Sequence, residues 1–182
     1  MTKLEIVTER LTLRLIKSSD LNSVHELHSF PEVDAYNTLG IPTNISETNK
    51  IVQGWIADQQ QSEIENYIFA IEHTSNGEFI GLFGFKLGNK KYKRAEIWYK
   101  IHPKFWKKGF ATEAVKAILD FGFETLKLHR IEAGCSVHNI GSIKVLEKVG
   151  MIREGRGREV LPLKSGWSDC FEYSILEMDE RK

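Results

Sequence analysis

Between residues 67 and 126 the apolar positions change their spacing once, and that change restricts the available folds more than any other feature of the chain. Segments 67–72, 78–87 and 94–101 are rich in β-branched and aromatic residues. Between them, Ser75-Asn76-Gly77 and Gly88-Asn89-Lys90 are turn formers. Strands joined by such short turns pair as an antiparallel meander. From 109 to 126 the spacing becomes helical, with Ala111, Ala114, Val115, Ile118, Gly122 and Leu126 along one stripe. A meander with helices on either side predicts an α/β (α+β) chain: a mixed, mainly antiparallel central sheet flanked by helices.

The flanking segments fit that frame. Residues 10–16 alternate with period two, as a strand with one wet face does, and Ser18, Ser19 and Asp20 then offer caps to a helix carrying Leu21, Val24, Leu27 and His28 on one face. A second helix is expected over 46–61, opened by Ser46-x-x-Asn49 and marked by Ile51, Trp55 and Ile56. Beyond the long helix come a strand at 130–137, a helix capped by Asn139 and closed by Gly150, and strands at 152–163 and 170–177 joined through Lys164-Ser165-Gly166. With 182 residues and no repeat or proline-rich linker, one domain over 1–182 is expected.

Charge removes several classes of function. Lys plus Arg and Asp plus Glu each number 25, so no broad basic face is available for nucleic acid or an anionic membrane. Charged residues interrupt the first ten positions, which lack a secretory apolar segment, and no apolar run approaches a membrane span. Cys135 and Cys170 lie 35 positions apart and fit no Cys-x-x-Cys pattern; small buried side chains in a reducing cytoplasm are expected. His25-Glu26-Leu27-His28 lacks the spacing of a zinc helix, Gly155-x-Gly157 follows a helix instead of opening one, and no metal is expected.

The segment from His102 to Thr112 joins a strand to a helix. Its Gly109 lets the main chain approach a ligand where a Cβ would obstruct it. The helix N-terminus leaves unpaired N–H groups with partial positive charge behind them, which suits an anion, and Lys104, Lys107 and Lys108 add cations nearby. An ordinary strand-to-helix loop remains the alternative.

Trp106-x-x-Gly109-x-Ala111, followed by Thr112-Glu113-Ala114, resembles the acetyl-CoA loop of the GCN5-related N-acetyltransferase (GNAT) superfamily, with Trp106 in place of the usual Gln or Arg. The substitution is common in the RimJ/RimL-like branch of ribosomal-protein N-terminal acetyltransferases. Asn139-x-x-Ser142 with Glu147-Lys148-Val149-Gly150-Met151, the opening Thr8-Glu9-Arg10-Leu11-Thr12-Leu13-Arg14, and the strand Ala95-Glu96-Ile97-Trp98-Tyr99 also resemble that branch. The resemblance implies acetyl-CoA as co-substrate between two splayed central parallel strands, ending near Ile101 and Val137. The pantetheine arm would pair with backbone at Tyr99, Lys100 and Ile101. Residues Lys107, Lys108, Gly109, Phe110, Ala111 and Thr112 would surround the pyrophosphate, with Trp106 and Asn139 as further cofactor contacts.

Acetyl transfer from a thioester to an amine requires a neutral nucleophile and stabilisation of the departing thiolate. Lysine costs roughly 3.5 kcal/mol more to deprotonate than an α-amine, from their reference pKa values of about 10.4 and 7.8. An α-amine is thus the easier substrate at neutral pH, and the resemblance to the RimJ/RimL-like branch implies a protein or peptide N-terminus as the acceptor. Small amines (polyamines, antibiotics, amino acid derivatives) and a non-catalytic acetyl-CoA-binding protein are the alternatives. Glu96 is the candidate base, against a solvated strand carboxylate paired with Lys or Arg; by alternation it shares a face with Trp98 and Lys100, opposite Ile97, Tyr99 and Ile101. Ser142 is the candidate hydrogen-bond donor to the thiolate, against a serine that satisfies first-turn backbone groups. Asn139 is explained equally by capping. Monomer and homodimer both remain open.

Overall fold

Short turns and one long crossover set the order of the sheet. In the computed structural model, which describes residues 4–182, the chain runs β1 (Glu5–Val7), β2 (Leu11–Leu15), α1 (Leu21–Ser29), α2 (Pro31–Asp34), α3 (Ile45–Gln59), β3 (Asn66–His73), β4 (Phe79–Leu87), β5 (Arg94–Ile101), α4 (Phe110–Asp120), β6 (Arg130–Ser136), α5 (Ile140–Lys148), β7 (Ile152–Leu163) and β8 (Gly166–Leu176). The strands form an eight-stranded sheet in the order β1-β2-β3-β4-β5-β6-β8-β7. Every neighbouring pair is antiparallel except β5 and β6, which are parallel because α4 carries the chain back between them.

Alternation along the inner strands feeds two apolar layers. In β3, Ile68 and Ala70 pack with Val24 and Leu27 of α1 and Val52 of α3, whereas Phe69 and Ile71 pack on the other face with Val115, Ile118 and Leu119 of α4. Apart from Ala70, each of these fully covered side chains contributes roughly 1.5–3 kcal/mol. Gly84 in β4 is required by this packing, because a Cβ there would sit 2.1 Å from the Trp98 ring on β5.

The sheet parts in its middle. β5 and β6 are in register only from Arg94↔Arg130 to Ile97↔Ala133. Past that point β5 stays on β4 as far as Gly81↔Ile101, while β6 stays on β8 as far as Ser136↔Cys170. Each strand thus follows its outer partner, and a gap opens between Tyr99 to Ile101 and the far end of β6.

Several expectations differ from what forms. β1 was not foreseen; three residues with Glu5 and Val7 exposed carry too little pattern. Ser18 to Asp20 form a 3₁₀ turn instead of side-chain caps, because Asp20 is drawn to Arg14 and the Lys17 amide. The second helix opens at Asn44, whose side chain accepts from Glu47 N while Glu47 accepts from Thr43 N, and it closes at Gln59. The long helix ends at Asp120 and widens into a π turn over Phe121–Thr125, with Phe121 packed against Tyr67, Phe69 and Phe85. β8 begins at Gly166, because Gly166, the exposed Trp167 and Ser168 pair with Leu163, Pro162 and Leu161 along the closing hairpin without a buried apolar alternation to announce them.

Candidate active site

The gap and the loop that follows β5 meet. After a 3₁₀ turn at Pro103–Phe105, the indole N–H of Trp106 donates to Ile101 O at 2.6 Å and ties the loop to the strand end. Lys107 and Gly109 then take left-handed conformations, φ +60° and +83°, so the intervening main chain curls round the N-terminus of α4. Among the described residues, the amides of residues 107–112 donate to no protein acceptor. Gly109 has only the Arg10 guanidinium within 4 Å of the place a Cβ would take. A run of free amides behind a helix dipole fits a pyrophosphate. Lys107 and Lys108 are exposed beside it, Lys104 pairs with Glu78, and the buried Phe110 ring anchors the helix start.

The gap presents main-chain groups of its own. His102 N donates to Ile80 O at 2.8 Å across β4, and amide direction alternates along a strand. Lys100 therefore also turns its backbone to β4, which differs from the expectation that it would pair with a ligand arm; Tyr99 and Ile101 turn theirs to the gap.

Across the gap, the Tyr99 hydroxyl and Ser142 Oγ are 2.9 Å apart, and Asn139 Oδ1 accepts from Ser142 N at 3.1 Å, so Asn139 is the N-cap of α5. Burial raises the Tyr99 phenol well above its usual range, only partly offset by Ser142, so Tyr99 stays protonated. The Cys135 thiol beside Ser142 is pushed up to about 11, chiefly by burial, so it is a thiol at neutral pH. The sequence reading used only the Tyr99 backbone. Strand alternation, which puts Tyr99 on the side of α5, was the available signal for its hydroxyl.

Against this geometry, a family model described as "Acetyltransferase (GNAT) domain" matches residues 10–152. The chain belongs to the GNAT acetyltransferase family. It is 33% identical over 174 residues to an uncharacterized N-acetyltransferase, p20, of Bacillus licheniformis, covering 96% of this chain and 97% of that one. The spermidine N-acetyltransferase of Vibrio cholerae, solved with CoA and spermine, superposes with a TM-score of 0.82 at 25% identity, over 93% of this chain and 97% of that one. RimL, the ribosomal L7/L12 alpha-N-protein acetyltransferase solved with coenzyme A, shares the fold with a TM-score of 0.85 at 22% identity, over 95% and 98%. This GNAT chain is thus an N-acetyltransferase whose fold accommodates CoA, and relatives of the fold differ in acceptor.

The opposite face of β5 in this GNAT domain carries Glu96, Trp98 and Lys100, as alternation required. Glu96 is exposed, in register with Lys86 and Glu132, and one residue short of the end of β5–β6 pairing. Among the described residues it makes no ion pair, unlike Glu132, which bonds Arg130. Lys100 is buried, and burial pushes its amine down to about 8 against the opposing pull of Asp34. His28 of α1 lies edge-on to Trp55, with both ring nitrogens buried and without a protein partner; burial, then Lys100 and His25, hold it down to about 3. His25 bonds Thr48 at 2.7 Å instead, so the two histidines do not converge. Asp34 Oδ1 is likewise buried and unpartnered, and Asp34 forms part of a cavity of about 440 Å³ with Pro31, Ala35, Tyr36, Ile41 and, from the β7–β8 hairpin, Lys164 and Ser165. The sequence reading had no signal for this cluster, because Lys100 and the Lys164–Ser165 turn lie tens of residues from His28 and Asp34. Among the described residues no helix is long and apolar enough to cross a membrane.

Proposed function

We infer that this GNAT enzyme moves the acetyl group of acetyl-CoA to a protein or peptide N-terminal α-amine. The observation that carries the donor side is the run of acceptor-less amides at residues 107–112, set where β5 and β6 part. Acetyl-CoA supplies the activated acyl group. Residues 107–112 bind its pyrophosphate, and the Tyr99 backbone and the Ile101 amide pair with the pantetheine arm as an added strand would. Trp106 holds the loop to Ile101. Ser142, oriented by the Tyr99 hydroxyl and by Asn139, donates a hydrogen bond where thiolate charge develops. Glu96, at the closed end of the gap on the opposite face, accepts the amine proton directly or through water.

The cavity supports the acceptor choice. Its single carboxylate, Asp34, already faces Lys100, and Lys164 adds a second cation. Such a lining holds one amine on an apolar body and repels a chain of several ammonium groups. An α-amine also has a substantial neutral fraction near pH 7.5. The likeness to a spermidine acetyltransferase keeps the polyamine reading as the rival.

Released CoA thiol, measured over N-terminal peptides and free amines including spermidine, tests this. Peptides are expected to give the higher kcat/KM. Preference for spermidine overturns the acceptor, and the absence of both turnover and acetyl-CoA binding overturns the donor.

A further inference from the structure

The Thr8 to Arg14 segment marks this chain's resemblance to its branch, yet none of it enters the chemistry above. Its arginines serve different ends. Arg14 is bound by Asp20 and Glu72 inside the sheet layer. Arg10 reaches 98 residues along the chain to Lys108 of the pyrophosphate loop and 103 to Glu113. Its Nε donates to Glu113 Oε2 at 2.7 Å, Nη2 lies 2.6 Å from the same oxygen, and Nη1 donates to Lys108 O at 3.1 Å. The Arg10 amide and the Thr8 hydroxyl take the other carboxylate oxygen, at 2.9 and 2.6 Å. The guanidinium also lies 4.5 Å from the centre of the Phe110 ring. All of Lys108, Phe110 and Glu113 belong to the loop or to the first turn of α4.

Glu113 is the reason such a fastening matters. A carboxylate in the first helical turn is itself an anion beside the free amides, so left loose it competes with a phosphate for them or repels it. Burial alone would raise its pKa, but the bonds from Thr8 and Arg10 outweigh burial and keep it ionised below its usual range. The charge is therefore present and must be held away from the loop.

We propose that Arg10 is a positioning residue for the pyrophosphate site: it fixes Lys108 O so that the loop amides stay open, and it holds the Glu113 carboxylate away from them. The inference rests on the acetyl-CoA reading of this loop. A lysine at position 10 keeps the charge but loses the planar fork that serves Glu113 and Lys108 together.

Steady-state kinetics with two donors, acetyl-CoA and acetylpantetheine, tests it, since the second has no nucleotide or pyrophosphate. Arg10→Met is expected to raise the KM for acetyl-CoA about tenfold, equivalent to about 1.4 kcal/mol. Its kcat and its kinetics with acetylpantetheine should stay within about twofold of the parent. Arg10→Lys gives an intermediate rise and serves if Arg10→Met does not fold. Adding Glu113→Gln to Arg10→Met removes the loose charge and is expected to recover at least about threefold of the lost acetyl-CoA affinity. An unchanged acetyl-CoA KM in the Arg10 variants, or an equal rise for both donors, overturns the role of Arg10. No recovery in the double variant overturns the role given to Glu113. A parent enzyme that fails to bind acetyl-CoA at all defeats the donor reading instead.

Discussion

The two faces of β5 handle polarity in opposite ways. On the side of α4 and α5, the polar groups left open are mainly main chain: the amides of residues 107–112 and the backbones of Tyr99 and Ile101, with Ser142 and Tyr99 as the added hydroxyls. On the side of α1 to α3, the polar groups are buried side chains, namely Lys100, His28 and Asp34. Main-chain recognition constrains conformation more than side-chain identity. Side-chain recognition is set residue by residue, and two solved proteins that share the fold are named for different acceptors.

That contrast breaks if variants on one face alter the kinetics of the other. The largest expected effect belongs to Glu96→Gln: kcat should fall about a hundredfold, as for other lost general bases, with acetyl-CoA KM unchanged. A pH–rate profile identical to the parent's would exclude Glu96 as the base. Next, Ser142→Ala should lower kcat about thirtyfold, less than the roughly 10²–10³ lost with an oxyanion-hole donor, because a thiolate accepts hydrogen bonds more weakly than an alkoxide. Because Tyr99→Phe removes the same hydrogen bond, the double variant should lose little more than Ser142→Ala alone; full additivity would show the two hydroxyls act separately. Gly109→Val forces a β-branched residue to φ +83°, at a strain on the order of 1–3 kcal/mol. It should weaken acetyl-CoA binding about tenfold for every acceptor alike. Asp34→Asn should raise acceptor KM about fivefold, the effect of a weakened charged hydrogen bond, while donor KM stays fixed; a matching change in donor KM would erase the distinction between the faces.

The smallest effect is on stability. With the folded-state pKa of His28 held down to about 3, the unfolded chain takes up that proton first, near pH 6.5. The unfolded state therefore binds more protons as pH falls from about 6.5 toward 3, and stability is lost across that window. His28→Leu should change Tm by only a few degrees at pH 7, yet reduce the fall in Tm between pH 7 and pH 4. An unaltered fall would mean the imidazole finds a partner when charged.

What the sequence disclosed follows the same division. The limits of β5 were readable to the residue, as were Asn139 as a cap and Gly109 as the pivot of the loop, because turns, caps and periodicity are local. The Asn44 cap was overlooked in favour of Ser46, and the π turn at Phe121–Thr125 was absorbed into a longer helix, since tertiary packing of Phe121 decides it. Lys100 was assigned through its backbone, whereas register with Leu82 commits that backbone to β4. Nothing local ties His28, Asp34 and Lys100 together; only the sheet and α1 to α2 bring them to one place. Arg10 and Glu113 meet for the same reason, from positions too distant for any spacing rule.

Amide hydrogen exchange with and without CoA examines the account at its centre. Saturating CoA should slow exchange at residues 107–112 and at Tyr99 and Ile101, leaving Lys100, already bonded to β4, unchanged. Binding of CoA with those loop amides exchanging as fast as before would contradict it.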